Sequence, residues 1–194
     1  MKLLIATNNL GKVRDFRSLL PDAVIFTLND IPGYKAPEET GKTFKENALI
    51  KAKAALDYTG LPTIADDSGL VVPALGGAPG VYSARYCGYH GDDDANNRRL
   101  LEEMEELEGD DRYAYYEAVI CYCLTDGTVL TGVGRCEGHI LREYVGDNGF
   151  GYDPIFFVKD AGKSMAQLTV EEKNKISHRA KALQSLTEDM SVNV

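Results

Sequence analysis

The feature that most constrains the fold is a long apolar segment in the middle of the chain, from Tyr113 to Leu124. Apolar residues occupy both its odd and its even positions, which is typical of a strand that is buried on both faces. Asp126-Gly127 then predicts a tight hairpin, and Val129 to Val133 supplies the returning strand. We therefore predict a central strand here, and this hairpin, together with strands and helices that alternate before it, points to a mixed α/β sheet.

Predicted strands and helices alternate along the N-terminal part of the chain. A buried strand is predicted over Lys2–Ala6, and helical spacing follows from Val13 to Leu20. Thr43 and Glu46 have the spacing of a capping box, which predicts a helix that ends at Gly60. Shorter predicted elements are strands at Val24–Leu28, Thr63–Ala65 and Ile155–Val158, a helix from Asp92 to about Gly109, and a C-terminal helical stretch after Thr169. We expect one domain over residues 1–194, with a mixed sheet, flanking helices and two lobes around a cleft.

Composition excludes several classes of function. The 194 residues carry a formal net charge of -9, which argues against a nucleic-acid polymer as partner but not against a single nucleotide. The longest apolar runs fall far short of the roughly 20 residues that cross a bilayer, so we expect no membrane partner. No signal-peptide core follows Met1, which favours a cytoplasmic location. The four cysteines form no C-x-x-C pair, and Cys121 and Cys123, on one face of a strand, are expected to be reduced and packed.

The loop from Thr7 to Lys12 lies between the first predicted strand and the first predicted helix. Free backbone amides at a helix N-terminus favour anions, and Lys12 adds a positive charge, so the loop is a candidate phosphate site. It is not a Walker loop, because the G-x-x-x-x-G-K-[ST] pattern is absent. The alternative is an ordinary strand-to-helix turn with an asparagine cap.

Asp66-Asp67-Ser68-Gly69 follows a predicted strand, where open α/β sheets usually place ligands. Neighbouring strand residues point to opposite faces, so one aspartate is expected to face the cleft and the other to be tied into the structure. Carboxylate oxygens suit magnesium (Mg2+), and a glutamate of Glu38-Glu39 could join Asp67 around one ion. A solvated acidic turn and a wet loop are the alternatives.

Two later segments could recognise a base. Gly149–Pro154 holds two aromatic residues and an aspartate in a glycine-rich loop, whose exposed rings could stack on a nucleobase. Lys173 and Arg179, the latter within Ser177-His178-Arg179, are hydrogen-bond donors only, so they suit a purine with an oxygen at position six. The alternatives are a packed hydrophobic turn and a solvated helix face.

Taken in order, these segments resemble one family, the inosine/xanthosine triphosphate pyrophosphatases. The resemblance covers nearly the whole chain. The matching stretches are Thr7–Lys12, Glu38–Phe44 with Glu46–Ala48, Ala65–Leu70, Gly76–Tyr86, Gly149–Phe156 and Ile176–Arg179.

The resemblance implies roles for particular residues. Asp67 would be the base that activates water, and Glu38 and Asp67 would bind magnesium. The residues implied to hold substrate are Thr7, Asn8, Asn9, Leu10, Gly11, Lys12, Lys51, Ser68, Phe150, Gly151, Tyr152, Asp153, Lys173, His178 and Arg179. Among these, the first loop and Lys51 would hold the triphosphate, and the group from Phe150 onward would recognise the base.

The resemblance also implies an elongated α/β fold with a central nucleotide-binding cleft, and a homodimer. The implied reaction is hydrolysis of non-standard purine nucleoside triphosphates (ITP, dITP, XTP) to the monophosphate and pyrophosphate, which removes them from the nucleotide pool. Two alternatives stay open at this point. One is a nucleotide-binding regulator without turnover, and the other is a pyrophosphatase of other nucleotides.

Overall fold

The computed structural model describes the backbone of residues 2–192. The strands of this part of the chain are β1 Lys2–Ile5, β2 Val24–Thr27, β3 Thr63–Val71, β4 Tyr113–Cys123, β5 Val129–Ile140, β6 Phe156–Val158 and β7 Lys163–Ser164. Its α-helices are α1 Leu10–Leu19, α2 Phe44–Thr59, α3 Asp93–Glu103, α4 Val170–Ile176 and α5 His178–Val192.

The strands form one sheet in the order β2-β1-β3-β4-β5-β6-β7. Strand β1 runs parallel to both of its neighbours, with Leu4 opposite Thr63 and Ile5 opposite Ile64 in the pairing with β3. The pairs β5–β6 and β6–β7 are antiparallel. The predicted mixed sheet with flanking helices is therefore confirmed, and β4 lies at its centre as the apolar pattern indicates.

The chain divides into two compact units. The first contains residues 1–67, 118–134 and 179–194, and the second contains residues 68–117 and 135–178.

In the first unit, the alternation of side chains along each strand separates two cores. Leu3 and Ile5 of β1 share one core with Phe16 of α1 and with the α5 residues Ala182, Leu183 and Leu186. Leu4 and Ala6 point the opposite way, into a core formed with α2 alanines. Cys121 and Cys123 lie in this second core as free thiols, as expected. The sheet of this unit is thus covered by α2 on one face and by α1 and α5 on the other.

The second unit has a core of its own. Leu70 and Val72 of β3 pack there with Leu100 of α3 and with the aromatic side chains Tyr116 and Phe156. The buried guanidinium of Arg112 donates to backbone carbonyls, among them those of Met104 and Ile140, which fixes the start of β4.

Four predicted boundaries are wrong. Strand β3 continues to Val71 and β5 to Ile140, because main-chain pairing carries each strand past the local apolar pattern. Helix α3 ends at Glu103, well before Gly109. The C-terminal helical stretch breaks at Ser177, whose extended backbone separates α4 from α5.

No helix within residues 2–192 combines the length and the apolar character that crossing a membrane requires.

Gly132 of β5 is the point where α5 comes closest to the sheet. A Cβ atom there would lie 2.1 Å from the Ala182 carbonyl oxygen and 2.7 Å from the Leu186 nitrogen. Since both are backbone atoms, Gly132→Ala should push the helix away and lower the free energy of unfolding by about 1–3 kcal/mol. Urea denaturation measures this loss.

The matched control for this prediction is Val133→Thr, at the next position of β5. Val133 is 49% exposed, so the change should stay within about 0.5 kcal/mol. Equal stabilities of the two variants would contradict the close packing of α5 on β5.

Candidate functional site

Two adjacent carboxylates in β3 are held by different groups on the two faces of the sheet. Asp66 points in the same direction as Ile64, toward α1 and α5, and Asp67 points in the same direction as Ala65, toward α2. The prediction that one aspartate is tied into the structure is confirmed, since the Asp66 side chain is fully buried between cations. Asp66 and Asp67 lie within a strand and not in an acidic turn.

Asp66 is the centre of a buried ion network. Its Oδ2 atom lies 3.1 Å from Lys12 Nζ and 3.1 Å from Arg179 Nη2, and Arg179 also binds Asp15. Burial alone would raise the pKa of the Asp66 carboxyl, but the charges of Lys12 and Arg179 outweigh burial and hold this pKa well below its ordinary range. Asp66 is therefore ionised and fixes both cations in place.

Asp67 has a different environment on the α2 face. Asn47 donates to its Oδ2 atom at 3.0 Å, and Lys51 Nζ lies 3.3 Å from its Oδ1 atom. The same ammonium binds Glu39 at 3.0 Å, so two carboxylates converge on one lysine. Burial raises the pKa of the Asp67 carboxyl, and the nearby charge of Lys51 opposes that rise. The carboxylate is held rigidly but stays partly accessible, with 10% of the side chain exposed.

The glutamate pair differs in how its members are placed. Glu39 is half-buried against Lys51, whereas Glu38 is exposed. Among the side chains that the structure describes, no three of the types His, Cys, Asp and Glu are close enough to form a metal site. Magnesium needs only one or two carboxylates when substrate phosphates and water complete its shell, so Asp67, whose side chain keeps 10% of its surface exposed, and a neighbouring glutamate fit its chemistry.

The loop before α1 is organised as a helix start. Thr7 Oγ1 accepts from the Asn9 amide at 3.2 Å, and Asn9 Oδ1 accepts from the Lys12 amide at 3.1 Å. Asn9 is the N-cap of α1, and Asn8 and Leu10 are exposed while Gly11 is buried. The asparagine cap that the alternative interpretation names is present, and the phosphate site stays a prediction. The Lys12 ammonium joins this helix start to Asp66.

In the second unit, Asp153 organises the Phe150–Asp153 loop. Its carboxylate accepts from the Phe150 amide at 3.1 Å, from Lys173 Nζ at 3.0 Å and from the Tyr116 hydroxyl at 3.2 Å. Lys173 Nζ also lies 4.9 Å from the centre of the partly exposed Phe150 ring. One buried carboxylate thus fixes the positions of an aromatic ring and an ammonium group.

Two aromatic contacts complete this cluster. The His178 ring stacks on the Tyr116 ring with centroids 4.6 Å apart and planes 9° apart. The expectation of an exposed Tyr152 ring is wrong, because the ring is 3% exposed and its hydroxyl donates to the Ser83 carbonyl. Burial raises the pKa of that Tyr152 hydroxyl. Ser68 is half-buried in β3, directly after Asp67.

The structure therefore groups the predicted residues into two sets. The first unit contains Thr7–Lys12, Glu38, Lys51, Asp67 and Arg179, and the second contains Ser68, Phe150–Asp153, Lys173 and His178.

A profile of the Ham1 family matches residues 3–189. The chain belongs to the Ham1 family. The resemblance drawn from the sequence motifs is thereby confirmed.

Several known proteins are similar to this chain over nearly their whole length. A protein named dITP/XTP pyrophosphatase from Desulforamulus reducens is 48% identical over 97% of this chain and 94% of its own length. One of the same name from Shigella flexneri is 51% identical over 95% of each chain. The solved Ham1 protein of Staphylococcus aureus covers 100% of both chains with a TM-score of 0.87 and 41% identity.

Sequence reasoning gave no role to three residues that shape the sites of this Ham1-family chain. Asn47 is buried against Asp67, Asp15 binds Arg179, and Tyr116 supports both Asp153 and His178. Only Asn47 carried a usable signal, because it lies one helical turn before Lys51 on the same face of α2. Asp15 and Tyr116 are far in sequence from the residues that they contact, so no local pattern marks them.

Asp66 offers a test of the ion network in the first unit. Asp66→Asn removes the charge that balances Lys12 and Arg179, so we expect a loss of about 3–5 kcal/mol in unfolding free energy near neutral pH. The folded-state pKa of Asp66 lies below the unfolded value of about 3.9, so its contribution is complete above that value and declines as the pH falls below it. Urea denaturation near neutral pH and at about pH 3 measures the effect.

The control is Asp57→Asn, at an exposed position of α2. It should leave stability nearly unchanged at either pH. A gap between wild type and Asp66→Asn that stays constant into the acid range would contradict a carboxylate held ionised by Lys12 and Arg179.

Proposed function

We propose that this Ham1-family protein hydrolyses non-standard purine nucleoside triphosphates, such as ITP, dITP and XTP, to the nucleoside monophosphate and pyrophosphate. The observation that carries the proposal is the arrangement around Asp67. Its carboxylate is oriented by Asn47 and Lys51 yet stays partly accessible. That combination suits a group that accepts a proton from a water molecule and does not only stabilise the fold.

The reaction forms one bond and breaks one bond. The oxygen of a water molecule attacks the α-phosphorus, and Asp67 accepts a proton from that water. The bond from the α-phosphorus to the bridging oxygen breaks, and pyrophosphate leaves with the electron pair. Lys51, beside Asp67, stabilises the negative charge that develops on the phosphate oxygens.

The start of α1 is proposed to bind the triphosphate. Asn9 caps this helix, and the neighbouring amides of the Thr7–Lys12 loop can donate to phosphate oxygens. Lys12 supplies a positive charge whose position is set by Asp66. An ammonium group has three donors, so Lys12 can bind Asp66 and a phosphate oxygen together.

The cluster of the second unit is proposed to recognise the purine. The partly exposed Phe150 ring can stack on a base, and Lys173 can donate both to Asp153 and to an oxygen at position six. His178 presents a ring held by Tyr116. Adenine has an amino group at position six, which these donors disfavour.

Magnesium is proposed as the cofactor, held by Asp67 and Glu38. When bound, it would neutralise charge on the phosphate oxygens and favour loss of a proton from water. The carboxylate of Asp67 and the neighbouring glutamates are hard oxygen donors, which is the type of ligand that magnesium prefers.

We also propose, from the family resemblance, that the protein is a homodimer and works in the cytoplasm. Analytical sedimentation of the purified protein tests the homodimer.

A nucleotide panel tests the proposed function. Pyrophosphate release is measured for ITP, dITP, XTP, ATP, GTP, CTP and UTP, with and without magnesium. Turnover restricted to ITP, dITP and XTP in the presence of magnesium supports the proposal. Binding without release would indicate a nucleotide-binding regulator, and equal turnover of pyrimidine nucleotides would indicate a pyrophosphatase of another specificity.

Asp67→Asn should abolish turnover, because an amide keeps the shape of the side chain but accepts no proton. Pyrophosphate release from ITP measures the loss, and circular dichroism checks that the fold is kept. The control is Asp57→Asn, an exposed change of the same chemical type on α2. Normal release by the Asp67 variant would remove this residue from the mechanism.

Substitution of Glu38 and of Glu39 tests which of the two glutamates binds magnesium. Glu38 is exposed and is the ligand that the family resemblance implies, whereas Glu39 is half-buried and paired with Lys51. We expect Glu38→Gln to raise the magnesium concentration for half-maximal activity by about tenfold or more, and Glu39→Gln to raise it less. The reverse order would transfer the ligand role to Glu39.

A further inference from the structure

Both backbone groups of Gly151 are bound by side chains of α3. The Gly151 amide donates to Asp93 Oδ2 at 2.7 Å, and the Gly151 carbonyl accepts from Asn97 Nδ2 at 3.0 Å. Asp93 and Asn97 are four residues apart, so they lie on the same face of the helix. We call these two residues and their bonds to Gly151 the α3 clamp.

The α3 clamp holds the centre of the loop that carries Phe150 and Asp153. Gly151 has a φ of 63°, in the left-handed region, and its two bonds fix the peptide planes on both sides of that conformation. The ends of the loop are fixed separately, because the Phe150 amide donates to Asp153 and the Asp153 amide donates to the Phe150 carbonyl. The direction of the Phe150 ring relative to Asp153 thus depends on the clamp.

Helix α3 does not require either side chain for its own start. Asp92 is the N-cap residue, and its Oδ1 atom accepts from the Ala95 amide at 2.9 Å. Asn97 is 2% exposed, and within the described part of the chain its Oδ1 atom has no hydrogen-bond partner. An unsatisfied buried amide oxygen costs free energy, so the bond from Asn97 Nδ2 to the Gly151 carbonyl is the contact that offsets this cost.

We propose that Asp93 and Asn97 are positioning residues that set purine selectivity by holding the Phe150–Asp153 loop. The inference rests on the proposed function, in which Phe150 and Lys173 contact the base. Lys173 is tied to both ends of this loop, since it binds Asp153 and lies over the Phe150 ring. Loss of the clamp therefore displaces the ring and the ammonium that face the purine, while the phosphate chemistry at Asp67 stays intact.

The test compares four variants by kcat and KM for ITP and for ATP. Asp93→Ala and Asn97→Leu each remove one hydrogen bond to Gly151. We expect each to raise KM for ITP by about tenfold, because loss of one hydrogen bond to a charged or buried partner changes an affinity by about that factor. The kcat for ITP should stay within about twofold, and the preference for ITP over ATP should fall.

Two matched controls accompany these variants. Asp93→Asn keeps an acceptor for the Gly151 amide and should retain most of the wild-type selectivity. Asp94→Ala changes the next, exposed position, whose carboxylate binds Tyr144 and Arg98, and should leave selectivity unchanged. Thermal melting of every variant checks that it is folded.

The results of this experiment distinguish failure of the proposed function from failure of the α3 clamp. Wild-type protein that releases no pyrophosphate from ITP, or that prefers ATP, overturns the proposed function. Wild-type preference for ITP that persists in Asp93→Ala and Asn97→Leu overturns the clamp alone. An equal fall in kcat for both nucleotides, in step with a lower melting temperature, also overturns the clamp, because a merely structural role predicts that result.

Discussion

The rest of the first unit depends on the opposite orientation of two neighbouring carboxylates in β3. Strand geometry directs Asp66 toward α1 and α5 and Asp67 toward α2. Asp66 satisfies the buried charges of Lys12 and Arg179, and Asp67 stays partly accessible beside Lys51. The sheet thus separates a carboxylate that supports the structure from one that can accept a proton, although the two are adjacent in the chain.

The second unit holds an aromatic ring and an ammonium group in fixed positions. The Phe150 amide, the Tyr116 hydroxyl and the Lys173 ammonium donate to the Asp153 carboxylate, and Asp93 and Asn97 of α3 hold Gly151. Each contact is ordinary, but together they leave the Phe150 loop little freedom. We propose that this rigidity lets the loop distinguish bases that differ by one exocyclic group, because a flexible loop would adapt to either.

The elements with strong local signals were predictable from the sequence. The capping box at Thr43 and the apolar period that follows it define α2, and the two-sided apolar pattern defines β4. The continuation of β3 through Asp66 and Asp67 was not predictable, because carboxylates are unfavourable in a buried strand unless cations balance them. One such cation, Arg179, is 113 residues away in the sequence. The family motifs named the candidate site residues, whereas supports such as Asp93 and Tyr116 act over long separations that no local pattern records.

The pairing of Lys173 with Asp153 also sets the electrostatic character of the second unit beside Phe150. An unpaired ammonium next to an aromatic ring would attract any anion. Here the lysine lies 3.0 Å from a carboxylate of opposite charge, and the pair has no formal net charge. Such a pair attracts an anion much less than a lone ammonium would, whereas an uncharged aromatic ring is not disfavoured by it. The surroundings of Phe150 therefore suit an uncharged ring better than a phosphate group.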